Sequence, residues 1–300
     1  MSVTYLPKKT GTNQSGSGKY FIDCSKRVSK DQPTTQAWLS IQERLKPTNF
    51  QDTNRVLLGV LEKQKRVVIK IGESLLLHKE YKVGETLSQT PGFIKYICYF
   101  ECEDDYKRHD GSATTNLCKA PGNAMKCLIM KYYPLGSLGT YKWGASNFHI
   151  LKTLLAQCVM SMMMAFEQHG IIHNDTHSKN ILLESTKKTV IQYTIANKTY
   201  DLPTHGYRIV MMDYENALKS HDKVTGNDLM YKDIGRLVTD LNYSANVAMS
   251  KELMECVNSL PVSNPNFTQG ITILLPAIAR LEWMDPPSSR ATLEYDPDVF

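Results

Sequence analysis

The chain has 300 residues, 42% of them hydrophobic and 22% charged, and a net charge of +5. This is enough chain for two hydrophobic cores and too apolar for a disordered segment. The mild positive charge has no dense Lys/Arg tract interleaved with aromatics, so no nucleic-acid partner is expected. It suits a solvated surface.

Residues 1–20, rich in Gly, Ser, Thr and Lys, read as a flexible tail. Their GTNQSGSGK stretch lacks the spacing of a phosphate-binding loop, and Lys19 is followed by Tyr20. VLLGVL (56–61) and VVIKI (67–71) read as two strands joined by a charged turn. Residues 74–89 have helical character and end at the Thr90-Pro91-Gly92 turn. A strand over 93–102, a polar loop insertion over 103–124 and a strand over 127–138 follow. Residues 147–170 predict a long, largely buried helix ending at Gly170, its Met run filling core. Residues 229–243 predict a further helix, and 284–300 a Pro-rich tail, packed or loose. No apolar run is expected to span a membrane, and MSVTYLPKKTGTNQ lacks a signal-peptide core. The odd count of seven cysteines (24, 98, 102, 118, 127, 158 and 256) points to free thiols in a reducing, cytoplasmic compartment. Cys98 and Cys102 have metal-ligand spacing, but no second close pair supports zinc.

The chemistry concentrates in HNDTHSKNILL (173–183) and MMDYENA (211–217). His173, Asp175, Asn180 and Asp213 stand at the ends of apolar runs, where strand termini face a cleft. Two carboxylates and an amide at this spacing can orient a hydroxyl and hold Mg2+, which favours hard oxygen ligands. Those are the needs of phosphoryl transfer from ATP, where positioning and charge neutralisation supply most of the catalysis.

The two motifs resemble the protein-kinase-like superfamily, whose catalytic loop reads H-R-D-x-x-x-x-N and whose metal loop reads D-F-G. The first matches at His173, Asp175 and Asn180, the second at Asp213, followed by Tyr214 and Glu215. The resemblance implies an α+β, two-lobed fold: a small lobe over 21–133, an antiparallel sheet with one helix, and a mainly helical lobe over 134–300. It assigns Asp175 to the acceptor hydroxyl and Asn180 and Asp213 to magnesium. VVIK resembles the family strand whose Lys binds nucleotide phosphates, which makes Lys70 that residue. Glu80, with Glu85 as the competing choice, would be its helix partner. Met130 would flank the adenine pocket, and Lys131, Tyr132 and Tyr133 would form the hinge. His177 and Lys179 occupy the two places where kinases carry a basic side chain for the transferring phosphoryl group, and haspin-like kinases also have His at the first. Asp233 and Gly235 resemble the helix whose Asp braces the catalytic loop.

The chain departs from the pattern in three places. Asn174 replaces Arg, so phosphate-driven switching of an activation loop is not expected. No glycine stands in 46–54, the one place for a Gly-rich loop. Tyr214-Glu215 replaces Phe-Gly. HNDxHxxN with an LPTxGY element resembles the divergent protein kinases of large nucleocytoplasmic DNA viruses. This implies an ATP- and Mg2+-dependent Ser/Thr kinase acting on protein substrates in host cytoplasm or virion. Asp213-Tyr214-Glu215 with Asp233-Ile234-Gly235 also resembles choline and aminoglycoside kinases, although only a short stretch is left for an acceptor-binding insertion. A non-catalytic scaffold is the third reading.

Overall fold

The computed structural model describes residues 39–44, 55–61, 65–101, 125–243, 251–263 and 266–282. The expectations for 1–20, 46–54, 103–124 and 284–300, and for Cys24, Cys102 and Cys118, lie outside these residues. The architecture is α+β, and the described chain divides into two compact units. One holds the residues up to Tyr81 together with Lys95–Tyr132; the other holds Lys82–Ile94 and the residues from Tyr133 onward.

The first unit is built on five antiparallel strands: β1 (Leu39–Arg44), β2 (Arg55–Leu61), β3 (Lys65–Glu73), β4 (Tyr96–Glu101) and β5 (Met125–Lys131). Their order across the sheet is β1-β2-β3-β5-β4. In β3 the period-two alternation puts Val67, Ile69 and Ile71 on one face and Val68 and Lys70 on the other. Register pairs Lys70 with Val56 on one side and Leu128 on the other, at the centre of the sheet. Helix α1 (Ser74–Thr86) follows β3 without a loop. Its Leu77 and Tyr81 are buried, and the Tyr81 ring stacks on Tyr99 at 4.9 Å. The strand expected over 93–102 begins at Tyr96, and β1 was not foreseen.

Cys98 is disulfide-bonded, which corrects the expectation of free thiols throughout. Cys127, Cys158 and Cys256 are not disulfide-bonded. Burial pushes the Cys158 thiol well above its ordinary range, which makes it an inert core residue.

The second unit is organised around helix α2 (Phe148–His169), against which β6 (Ile171–Ile172), β8 (Val190–Ile195), β9 (Lys198–Pro203), β10 (Tyr207–Met211), α3 (Lys223–Tyr243) and α5 (Phe267–Ala279) pack. β7 (Ile181–Ser185), β11 (Leu218–Lys219) and α4 (Lys251–Ser263) also belong to this unit. By length and composition the helical stretch Ala145–His169 could cross a membrane, contrary to the reading that no run approaches a span. With 78% of its most apolar window buried, it has the surroundings of a core helix. α2 ends at Gly170 in the left-handed conformation, as its sequence predicts.

Helix α3 starts at Lys223, six residues before the expected start at 229. Asp222 accepts hydrogen bonds from the Val224 and Thr225 backbone N–H groups and caps it. The weak helix formers after the cap hide this start in the sequence. One of them, Gly226, is required by packing: a Cβ there would lie 2.1 Å from the Phe166 ring.

Candidate active site

Two short ladders bring the sequence motifs into register. β6 pairs with β11, β7 with β10, and Ile181 stands opposite Met211. That register sets Asn180, the residue before β7, beside Met212, the residue after β10; the Met212 N–H donates to the Asn180 carbonyl at 3.0 Å. The His173 ring, buried, reaches the Met212 carbonyl through Nε2 at 2.9 Å. The 173–180 loop and the 211–217 loop are thus stitched together at two points, and Asp213 follows at once.

Both loops carry a non-glycine residue in the left-handed region, Asn174 at φ 61° and Asp213 at φ 69°. Such backbone persists only where its surroundings hold it. For Asn174 the holder is Asp233 on α3, 2% exposed. Its Oδ2 accepts from Asn174 N (2.8 Å) and Thr176 Oγ1 (2.7 Å), and its Oδ1 from Thr176 N (3.0 Å). Arg236, one turn further on, donates to the Asn174 carbonyl at 2.5 Å and lies 3.6 Å from Asp233. Asp240, two turns after Asp233 on the same helix face, accepts from Ser178 N at 2.6 Å. Sequence reading found Asp233 and missed Arg236 and Asp240; their spacing along one face of α3 is the signal that could have found them.

Asp175 is half-buried at the mouth of this braced loop. The Asn180 side chain donates through Nδ2 to the Asp175 carbonyl (3.1 Å) and, at 3.5 Å, toward its carboxylate. With the amide nitrogen engaged, the amide oxygen of Asn180 is the atom left to accept a cation. Asn180 and Asp213 together offer one neutral and one anionic oxygen donor, which fits Mg2+, an ion that completes its shell with water and phosphate. Among the described residues no three His, Cys, Asp or Glu side chains gather as a metal site of their own. His177 is half-buried and Lys179 exposed, and the His177 carbonyl accepts from Asn180 N at 2.9 Å.

Tyr214, where the family motif has Phe, is fully buried. Its hydroxyl donates to the Met211 carbonyl (3.0 Å) and accepts from Ile94 N (3.0 Å). Its ring packs edge-on to His173, with centroids 5.7 Å apart. The side chain after Asp213 is therefore anchored at both ends, by ring packing and by its hydroxyl.

In the first unit, Lys70 Nζ and Glu80 Oε2 form a buried ion pair at 2.8 Å. Tyr96 donates to the other Glu80 oxygen at 2.8 Å, so both carboxylate oxygens are engaged. Glu85 pairs instead with Lys82 at the surface. Met130 is buried on β5 between Val68 and Tyr96, and Lys131, at the strand end, is exposed. Tyr132 is half-buried. Tyr133, in the second unit, is buried; burial first, then the Glu184 carboxylate, pushes its hydroxyl far above the ordinary phenol range, against a smaller opposing effect of Arg208.

No protein-family model matches the chain. It is 31% identical over 97 residues to an uncharacterized protein of Caenorhabditis elegans, covering 32% of this chain and 31% of that protein. It is 35% identical over 79 residues to the serine/threonine-protein kinase haspin of Mus musculus, covering 26% of this chain and 10% of haspin. It is 32% identical over 74 residues to an uncharacterized protein of Invertebrate iridescent virus 6, covering 23% of this chain and 12% of that one. The aligned stretches span less than a third of each of these relatives. Among solved structures, WaaP in complex with acyl carrier protein is similar at a TM-score of 0.47 and 13% identity, over 79% of this chain and 85% of that one. The similarity to haspin points to a kinase-like superfamily.

Proposed function

We propose that the protein is an ATP- and Mg2+-dependent phosphotransferase that phosphorylates Ser or Thr side chains of protein substrates. The observation that carries this reading is the braced pair of loops. Asp175, Asn180 and Asp213 come together through the Asn180–Asp175 hydrogen bonds and the Met212–Asn180 backbone bond, and buried Asp233 fixes the loop backbone. In this reading Asp175 orients the acceptor hydroxyl, a task that needs hydrogen-bond reach more than basicity. Asn180 and Asp213 hold magnesium, which when bound neutralises phosphate charge. Lys70 serves the nucleotide phosphates with Glu80 fixing its rotamer, and His177 or Lys179 faces the transferring phosphoryl group. Met130, Lys131, Tyr132 and Tyr133 form the adenine-binding stretch of a two-lobed kinase fold. The preference for a protein acceptor is supported by the haspin match. A place among the divergent kinases of large DNA viruses, acting in host cytoplasm or virion, is supported by the HNDxHxxN pattern and by the iridescent-virus relative.

The test is transfer of radiolabel from Mg-ATP to casein and myelin basic protein, with choline and an aminoglycoside as alternative acceptors. Label on protein is expected, and Asp213→Ala should lower it by about 10²–10³, the cost of removing one electrostatic partner from a preorganised site. Label on a small molecule alone would move the protein to the choline-kinase type. No label, with no thermal shift from Mg-ATP, would leave a scaffold.

A further inference from the structure

We propose that Asn216 is a positioning residue for Asp175, a role that rests on the phosphotransfer reading above. Asn216 lies three residues after Asp213, and sequence reading gave it no task. Its side chain is exposed, yet its Nδ2 donates to Asp175 Oδ2 at 3.2 Å. Its backbone carbonyl accepts from Asn174 Nδ2, also at 3.2 Å. The two contacts therefore join the metal loop to the catalytic loop at Asp175 and at the residue before it.

The geometry defines what the amide does. A half-buried carboxylate on a loop has two soft side-chain torsions. The Asn180 Nδ2, at 3.5 Å from the same oxygen, constrains them weakly. The shorter bond to Asn216 fixes Oδ2 and leaves Oδ1 as the oxygen available to an acceptor hydroxyl. Asn216 acts only through Asp175; it donates a hydrogen bond and takes no part in bond making.

The bond to Asn174 uses the Asn216 main chain, so side-chain substitution deletes the Asp175 contact alone. Three substitutions separate positioning from simple loop structure. Asn216→Ala removes the donor. Asn216→Gln keeps an amide on a longer, exposed stem that can still reach. Asn216→Asp keeps the size and replaces the donor by a carboxylate facing a carboxylate. If Asn216 only filled space, Asp would be the mildest change. If it positions Asp175 by donating, Asp must be the worst and Gln the mildest.

Full-length wild type and the three variants are assayed for phosphate transfer with Mg-ATP, with thermal unfolding alongside. The expected result is a kcat lowered about tenfold in Asn216→Ala, lowered further in Asn216→Asp and largely recovered in Asn216→Gln. KM for ATP should stay within about twofold and Tm should be unchanged. In a double-mutant cycle with Asp175→Ala, the Asn216→Ala effect should vanish, because the group it positions is gone. Asn216→Asp as active as wild type, or an Asn216→Ala effect that persists without Asp175, overturns the proposal. If wild type transfers no phosphate, the phosphotransfer reading fails and the contact is still testable. The Asn216 side-chain NH2 signal in a 15N–1H spectrum should move in Asp175→Asn, and a signal that stays in place overturns the contact as well.

Discussion

Replacing Asp233 tests whether one buried carboxylate holds the 173–180 loop. The side chain is 2% exposed and accepts three hydrogen bonds from the loop: Asn174 N at 2.8 Å, Thr176 N at 3.0 Å and Thr176 Oγ1 at 2.7 Å. Hydrogen bonds to a charged acceptor contribute about 1.5–3 kcal/mol each, and a buried donor left without a partner costs about 1–3 kcal/mol. Three such bonds bound the loss from above at several kcal/mol. Water entering the vacated space, and the better helix propensity of Ala by up to about 0.7 kcal/mol, reduce it. Asp233→Ala should therefore cost about 3–5 kcal/mol. Asp233→Asn should cost about 1–3 kcal/mol, because either orientation of the amide turns its NH2 toward one backbone N–H and strands a single donor. Urea unfolding gives the order wild type, Asn, Ala. Amide hydrogen exchange at Asn174 and Thr176 reads the loop itself, and it remains valid if the two units unfold separately. An Asp233→Ala protein within about 0.5 kcal/mol of wild type, with both amides still protected, would refute the reasoning, since no other described side chain accepts from those two N–H groups.

Two further outcomes follow from the same geometry. Lys70→Met takes the cation from Glu80, a buried carboxylate whose other oxygen is bound by Tyr96, and should cost about 3–5 kcal/mol in denaturant unfolding; Lys70→Met with Glu80→Gln should regain part of the loss, and a double variant no more stable than the single one would contradict this. His169 has its pKa lowered by burial and, second, by Lys219, so in the window below its ordinary value of 6.5 the unfolded chain binds more protons than the folded one. Its contribution is fully present above that value and is lost as pH falls through the folded pKa; His169→Gln should flatten the rise of stability with pH across this window, and an unchanged slope would show that other groups set it.

What the sequence displays and what it hides divide along a physical line. His173, Asp175, Asn180 and Asp213 are legible because each is a polar residue at the end of an apolar strand, and the ladder of Ile181 against Met211 brings them together as that pattern requires. Lys70 is legible for a related reason, as a lone cation inside the apolar run 67–71, set between Ile69 and Ile71. The residues that hold these groups are remote: Asn216 reaches Asp175 across 41 positions, and Asp240 reaches Ser178 across 62. Nothing near Asn216 in sequence marks it, and Asp240 is marked only by its spacing from Asp233 on α3, because the purpose of each is defined by a carboxylate or a backbone N–H on another element. Helix α3 shows the conflict in a single segment. Asp222 caps a first turn whose Gly226 weakens helix propensity, and the reason for that glycine is the Phe166 ring on another helix. Tyr214 combines both kinds of information. The sequence shows that it departs from Phe, but only the Ile94 N–H on one side and the Met211 carbonyl on the other explain the hydroxyl. The Ile94 N–H also donates to the Met211 carbonyl at 2.9 Å, so a Phe there would lose the hydroxyl that bridges the two groups without stranding that N–H. The Tyr214 hydroxyl ties the residue after Asp213 to the backbone of Ile94 and Met211, and its ring packs on His173, so hydrogen bonds and packing hold the 211–217 loop.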